Sequence, residues 1–248
     1  MSKSRLNWYK YAAPVNFYPL AGKMIPVFAV LSVIAMVVGL YLGFFVAPAQ
    51  DAQQHEYYRI IFVHVPAAWM GMFLYVLLAI YAGVGWAFNA RLGSMMATAI
   101  APTGAIFTFI SLVTGSLWGR PAWGVYWVWD ARMTSTLILM FLYIGFISLQ
   151  SSIEDPRRAD RAGAVLALVG VVNVPIIYFS VQWWNTLHQG ATITATSFKM
   201  ASSMRPALLI MVAGFWIYSI AVVLARVRCI ILERESEAPW LAEPVASA

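Results

Sequence analysis

The chain has 248 residues, of which 62% are hydrophobic and only 10% charged, with a mean hydropathy of +0.75 and a net charge of +6. Soluble globular domains carry roughly 25% charged residues, so this composition excludes a water-soluble fold and places the chain in a bilayer. Nor does the positive balance argue for nucleic acid, because in a membrane protein the distribution of Lys and Arg carries more information than their sum.

Six stretches lack Asp, Glu, Lys and Arg altogether: residues 24–50, 60–90, 92–119, 133–153, 162–198 and 206–225. Each supplies the ~17–20 apolar residues needed to cross about 30 Å of hydrocarbon. They predict an all-α polytopic protein, one integral membrane domain over residues 1–248, with transmembrane helices at roughly 25–47, 60–88, 95–117, 131–149, 162–181 and 206–231. The first apolar stretch exceeds the roughly 7–15-residue core of a cleavable signal peptide, so the small-residue sequence APAQ at 47–50 reads as the end of a retained helix. Within it Gly39 and Gly43 stand four apart, which admits a neighbouring helix at close range but also arises by chance in membrane spans.

Between the fourth and fifth helices, EDPRRADR at 154–161 reads as a solvated loop or a docking surface for a partner. The tail from about 233 to 248 is polar, interrupted by proline and expected to be disordered. With six spans the termini share a side, and that side holds eleven of the sixteen Lys and Arg residues, so the positive-inside bias predicts both termini in the cytoplasm. This topology gathers three unusual segments on the outer face: the start of the second helix, RIIFVHVPAAW, the loop WGRPAWGVYWVWD at 118–130, and WWNTLHQG after the fifth helix. No internal repeat is evident. A lone Cys229 excludes an internal disulfide and C-x-x-C-H chemistry, and no phosphate-binding G-x-x-x-x-G-K-[ST] motif exists, so any nucleotide-driven step belongs to a partner.

Gly119, Pro121 and Gly124 argue against a continuous helix through the first half of 118–130, which predicts a shaped loop with at most one helical turn near its end. An interfacial belt is the ordinary role of a single membrane Trp. Here Trp69, Trp118, Trp123, Trp127, Trp129, Trp183 and Trp184 fall on the outer side against Trp8, Trp86 and Trp240 on the inner, with Trp216 inside the sixth helix. The imbalance favours a one-sided site. Four indoles of about 150–250 Å² each also exceed the apolar patch a surface normally shows water, so lipid, protein or a flat ligand must cover them. Asp130 precedes ARMTSTLILM and is expected first of all to cap the fourth helix.

All three histidines, His55, His64 and His188, lie on the outer side. His64 sits about one turn inside the second helix, where a core histidine bonded to a backbone carbonyl is the ordinary reading and an ionisable residue is also a functional candidate. His188 returns to the same face in a loop that starts with Trp183 and Trp184. Two neutral imidazoles beside indole rings suit a metalloporphyrin, with axial nitrogens on the iron and Arg59, Arg120, Arg132, Lys199 or Arg205 near the propionates. Zinc fits less well, since only His55, expected to be exposed, could add a third nitrogen and no cysteine is near.

Trp118, Gly119, Trp123, Trp127, Trp129 and Asp130 resemble the WWD signature of heme-handling proteins of cytochrome c maturation. HVPAAW at 64–69 and WWNTLHQG at 183–190 are similar to the flanking histidine motifs of the cytochrome c maturation protein C (CcmC) family. That resemblance implies a bacterial inner-membrane protein holding heme b non-covalently at its periplasmic face, with His64 and His188 as axial ligands. It further implies Trp118, Gly119, Trp123, Trp127, Trp129, Asp130, Arg132, Trp183 and Trp184 as the heme-binding platform. The implied partners are the heme chaperone CcmE, the small subunit CcmD, the ABC-type subunits CcmA and CcmB, and membrane lipid. Three rival readings remain: a transporter or permease subunit moving heme through its own bundle, an electron-relaying cytochrome b, and a structural subunit whose tryptophans form only a belt. The absence of charged residues away from the ends of the spans weighs against the first, and the loop position of His188 against the second.

Overall fold

A computed structural model describes residues 8–47, 54–190 and 200–242 of the chain. The described residues form helices without strands: α1 (Pro14–Tyr41), α2 (Ile61–Phe88), α3 (Arg91–Trp123), α4 (Ala131–Ser152), α5 (Pro156–Gly170), α6 (Asn173–Trp183), α7 (Arg205–Arg234) and the short α8 (Pro239–Ala242), with 3-10 turns at Trp8–Ala12, His55–Ile60 and Ser202–Met204. Six helical stretches are long and apolar enough to cross a membrane, the fifth being α5 and α6 taken together. The protein is therefore an all-α membrane protein with six spans.

Several helices run further than the charge-free stretches. α1 begins at Pro14, with proline in its first turn where a missing amide costs nothing, and ends in a π-helical turn, Leu42–Val46. α3 extends over 33 residues, roughly 50 Å at 1.5 Å per residue against about 30 Å of hydrocarbon, so its last two turns can project beyond the apolar layer. The Asp155–Pro156 pair starts a helix instead of breaking one: the Asp155 carboxylate accepts from Arg157 N and Arg158 N while Pro156 occupies the first turn. Most of 154–161 is thus the first turns of α5 and not a loop. The fifth span is interrupted at Val171–Val172 because Pro175 offers no amide and its ring excludes the carbonyl of Val171, so Val174 N turns back to Val171 O at 3.0 Å.

α2 lies closest to α3, and α1 packs mainly along α7, with α4, α5 and α6 closing the other side of α2 and α3. Both glycines of α1's extended stretch are close-contact points: a Cβ on Gly39 would sit 2.7 Å from Met211 Cγ, and one on Gly43 2.6 Å from Phe62 Cδ2. The middle of the bundle is filled by Phe62, Met70, Tyr75, Leu78, Leu139, Tyr143 and Phe146, all but out of reach of solvent. Tyr143 reaches from α4 to donate to Gly71 O on α2 at 2.8 Å, and Asn173 of α6 donates to Ser135 O of α4 at 2.9 Å. At the end opposite the tryptophan motif, Arg234 makes two bonds to Asp160, of 2.8 and 3.0 Å, and Arg91 pairs with Glu235 at 3.1 Å.

The tail expected to be disordered from about 233 is ordered through Ala242. Glu235 is buried, Trp240 Nε1 donates to Glu235 Oε2 at 3.0 Å, and the Trp240 ring lies 5.9 Å from that of Tyr18. Packing on α1 gives this stretch a partner that its polar composition did not disclose. Residues 243–248 lie outside the described residues, as do 48–50 of the APAQ sequence.

Tyr143→Phe removes the α4-to-α2 hydrogen bond while keeping the ring. The expected loss is about 0.6 kcal/mol and no more than about 1.7, the range for polar contacts between membrane helices. Reversible unfolding in micelles measures it; no loss would mean that the bond makes no net contribution to holding α4 on α2.

Candidate functional site

The site is built at the C-terminal end of α3. Helix geometry persists through Gly119 and Pro121 to Trp123 and stops at Gly124, whose φ of 83° is the left-handed conformation that glycine adopts without strain. Gly124 N donates to Arg120 O at 3.0 Å, and the Arg120 guanidinium donates to Gly124 O. The loop expected over 118–130 is therefore helical in its first half and irregular in its second. Pro121 is tolerated because its missing amide falls in the final turn, where one absent bond disturbs nothing beyond it.

Asp130 ends the irregular segment. Its Oδ1 accepts from Met133 N at 2.8 Å, the N-cap expected from its position before α4. Trp127 and Trp129, two apart in this segment, meet edge to face at 5.4 Å. Trp127 Nε1 and Asp130 Oδ2 are shielded from solvent and have no hydrogen-bond partner among the described residues.

His64, one turn into α2, is 7% exposed. Its Nδ1 lies 3.0 Å from Thr114 Oγ1, and its ring meets Trp118 edge-on at 5.8 Å. A Cβ on Gly115 would come within 2.9 Å of His64 Cε1, so the absence of a side chain there lets the imidazole lie directly against α3. His188 is half-buried in the segment after α6; its Nδ1 is 2.7 Å from Gln189 O, and its ring is 6.1 Å from that of Trp123. The two imidazoles, far apart in the chain, stand with ring centres 6.2 Å apart and planes inclined by 38°.

Both rings line one cavity between α2, α3, α4 and α6, together with Trp118, Gly119, Trp123 and Arg132. Its enclosed volume is about 60 Å³, or about 790 Å³ with interstices and open mouth included. Trp69 and Tyr178 line an adjoining cavity that shares His64, Trp118, Arg132 and His188 with it. Arg132 donates to Ile177 O at 2.8 Å, which ties the first turn of α4 to α6. Burial first, and then the Arg132 charge, hold the His188 pKa below the ordinary imidazole value, leaving the ring neutral.

The other expected site residues are distributed differently. Trp129, Trp183 and Trp184 are 74%, 57% and 51% exposed and do not line the cavity. His55 is exposed, as expected. Among the candidate cations, Arg59 donates to Gly43 O and Ala47 O at 2.6 and 2.9 Å and pairs with Glu56, closing the end of the first span. Arg120 is committed to Gly124, and Arg205 lies by Met200 O. Lys199 is outside the described residues, so among those described Arg132 is the cation that lines the cavity.

Sequence reasoning missed Gln54, whose Oε1 accepts from Trp118 Nε1 at 2.7 Å, and also Thr114 and Gly115 behind His64. A signal for Gly115 exists: Ser111, Gly115, Trp118 and Ala122 form a stripe at helical spacing, and all four line the cavity. That stripe can be seen only once α3 is carried through the motif.

Fold and site together define a six-span helical membrane protein with a paired-imidazole, tryptophan-walled cleft at one end of the bundle. The profile of one family, heme exporter protein C (CcmC), matches residues 7–242. The chain is 47% identical to heme exporter protein C of Escherichia coli K12 over 95% of both chains, and 42% identical to that of Haemophilus influenzae over 94% of this chain and 95% of the other. A Marchantia polymorpha protein named as a putative cytochrome c biosynthesis ccmC-like mitochondrial protein is 42% identical over 71% of this chain and 75% of its own length. The chain belongs to the heme exporter protein C family.

Asp130→Ala is expected to cost about 1 kcal/mol of stability through loss of the α4 cap. It should also loosen the segment 124–130, read as faster amide exchange there than in α4. Unchanged stability and exchange would remove the capping role.

Proposed function

We propose that this protein holds heme, as cargo, at the tryptophan-bearing end of the bundle and presents it to a partner. The supporting observation is the spacing of His64 and His188. Two imidazole–metal bonds of about 2.0–2.1 Å, with about 1.2 Å from each nitrogen to its ring centre, put trans imidazoles about 6.4 Å apart. The rings stand at 6.2 Å. Each has its Nδ1 beside a protein oxygen, which leaves Nε2 as the nitrogen available to a metal.

The enclosed space is far too small for a porphyrin, while the cleft with its mouth falls in the range of ligand pockets. The macrocycle therefore belongs in a widened cleft, with its centre between the histidines and its periphery toward the mouth. In this reading Trp118, Gly119 and Trp123 flank it, and Arg132 supplies the positive charge for a propionate. Trp127 Nε1 and Asp130 Oδ2 are left for the cargo or a partner to satisfy. Trp129, Trp183 and Trp184 extend the apolar platform outside the cleft, where they suit lipid or an incoming protein. When bound, the iron takes both imidazole nitrogens, which restrains oxygen chemistry while leaving the porphyrin edge accessible.

Family membership and the basic side of the chain support a bacterial inner-membrane location with both termini in the cytoplasm and the cleft facing the periplasm. The receiving partner in this reading is the heme chaperone CcmE, with CcmD, CcmA and CcmB completing the assembly. The filled centre of the bundle, around Tyr75, Leu78 and Leu139, favours presentation at one end over passage through this chain's own helices.

His64→Ala and His188→Ala are each expected to lose most heme occupancy and chaperone loading while inserting normally, read from the Soret band and from covalent heme on the chaperone. Occupancy equal to wild type in both variants would overturn the ligand assignment. The lowered His188 pKa sets the direction of the pH dependence. The lone pair stays free through the neutral range, so wild-type occupancy should hold down to about pH 6.5, the ordinary imidazole value, and fall only in more acid solution. A loss already complete above that pH would contradict it.

A further inference from the structure

The partner of His64 decides which of its two nitrogens can bind a metal. Thr114 Oγ1 lies 2.6 Å from Ile110 O, one turn back on α3, as well as 3.0 Å from His64 Nδ1. A carbonyl oxygen can only accept, and a hydroxyl carries one hydrogen, so the Thr114 proton is committed to Ile110. The bond to the imidazole must then be donated by the ring. His64 is thereby held with hydrogen on Nδ1 and the lone pair on Nε2. The opposite tautomer would set two acceptors, Nδ1 and Oγ1, against each other in a site that is 7% exposed.

We infer that Thr114 is a positioning residue that fixes the tautomer and seat of His64, so that Nε2 is presented to the metal of the cargo; this rests on the heme reading above. The neighbouring residues complete the seat. Gly115 lets the ring lie against the α3 backbone, and Trp118, held by Gln54, abuts its edge. The two imidazoles differ in this respect. His188 donates to the carbonyl of Gln189, a backbone group that no substitution removes, whereas on His64 the side-chain hydroxyl of Thr114 acts alongside the backbone of Ser111, both on another helix. The two ligands are therefore separable by substitution at residue 114.

The test uses the full chain in nanodiscs, titrated with hemin, as wild type, Thr114→Val and Thr114→Ser. Valine keeps the shape and loses the acceptor; serine keeps the hydroxyl and its back-bond. Thr114→Val is expected to weaken hemin binding roughly 10–100-fold, the usual effect of removing the group that orients a metal-binding histidine. It should also shift residual bound heme from the low-spin, two-imidazole electron paramagnetic resonance signature toward a high-spin, one-imidazole signature. Thr114→Ser is expected to restore both. A second readout needs no heme: imidazole nitrogen shifts of the heme-free protein should show His64 with bare Nε2 in wild type and Thr114→Ser, and mixed tautomers in Thr114→Val.

Wild-type affinity and a wholly low-spin signal in Thr114→Val would overturn the inference, as would a heme-free wild type carrying its hydrogen on Nε2. A wild type that takes up no hemin would instead defeat the functional reading, with the nitrogen shifts still deciding the role of Thr114.

Discussion

The close approach of α2 to α3 is the constraint on which the rest of the structure depends. It is achieved by absent side chains. A Cβ on Gly71 of α2 would lie 2.7 Å from Thr108 Oγ1, and one on Gly115 of α3 would lie 2.9 Å from His64 Cε1. In lipid, where apolar surface gains little by contacting other apolar surface, such backbone proximity is a main source of helix association. It also brings the imidazole into reach of Thr114, so the contact that holds the helices together also seats His64.

From that contact the site is assembled by ordinary helix terminations. α3 ends on Gly124, the irregular segment after it ends on the Asp130 cap, and α4 then presents Arg132. On the other side the break before Pro175 restarts the fifth span as α6, whose end leads to His188. Arg132 joins the two through Ile177 O. His64 thus sits on a buried helix face, while His188 sits on a short segment at the mouth. In the proposed function, a buried ligand and a more accessible one suit the holding and later release of a flat cargo.

The number of spans was legible because about 20 consecutive residues without a charge are hard to accommodate anywhere but in a bilayer. The ends were not, because hydropathy reports the hydrocarbon layer while α1, α3 and α5 continue into its surroundings with proline in first or last turns. Asp130 was legible as a cap because capping is local chemistry. The meeting of His64 and His188 followed from topology alone, since both lie on one side of the membrane in an even-numbered bundle. Treating residues 118–130 as a uniform loop merged tryptophans that do different work: Trp118 and Trp123 wall the cleft, whereas Trp129 lies outside it. Thr114 was invisible for a related reason, as a threonine in an apolar helix is ordinarily satisfied by its own backbone, and only the register against α2 shows that its oxygen also receives His64.

In the proposed function His64 and His188 together clasp one iron. The most direct measurement replaces each with glycine and adds free imidazole to the hemin-loaded protein. The account predicts that each variant alone gives a high-spin, weakly held heme, and that imidazole restores the low-spin, two-nitrogen spectrum in both. A low-spin spectrum that persists in either glycine variant without added imidazole would contradict it.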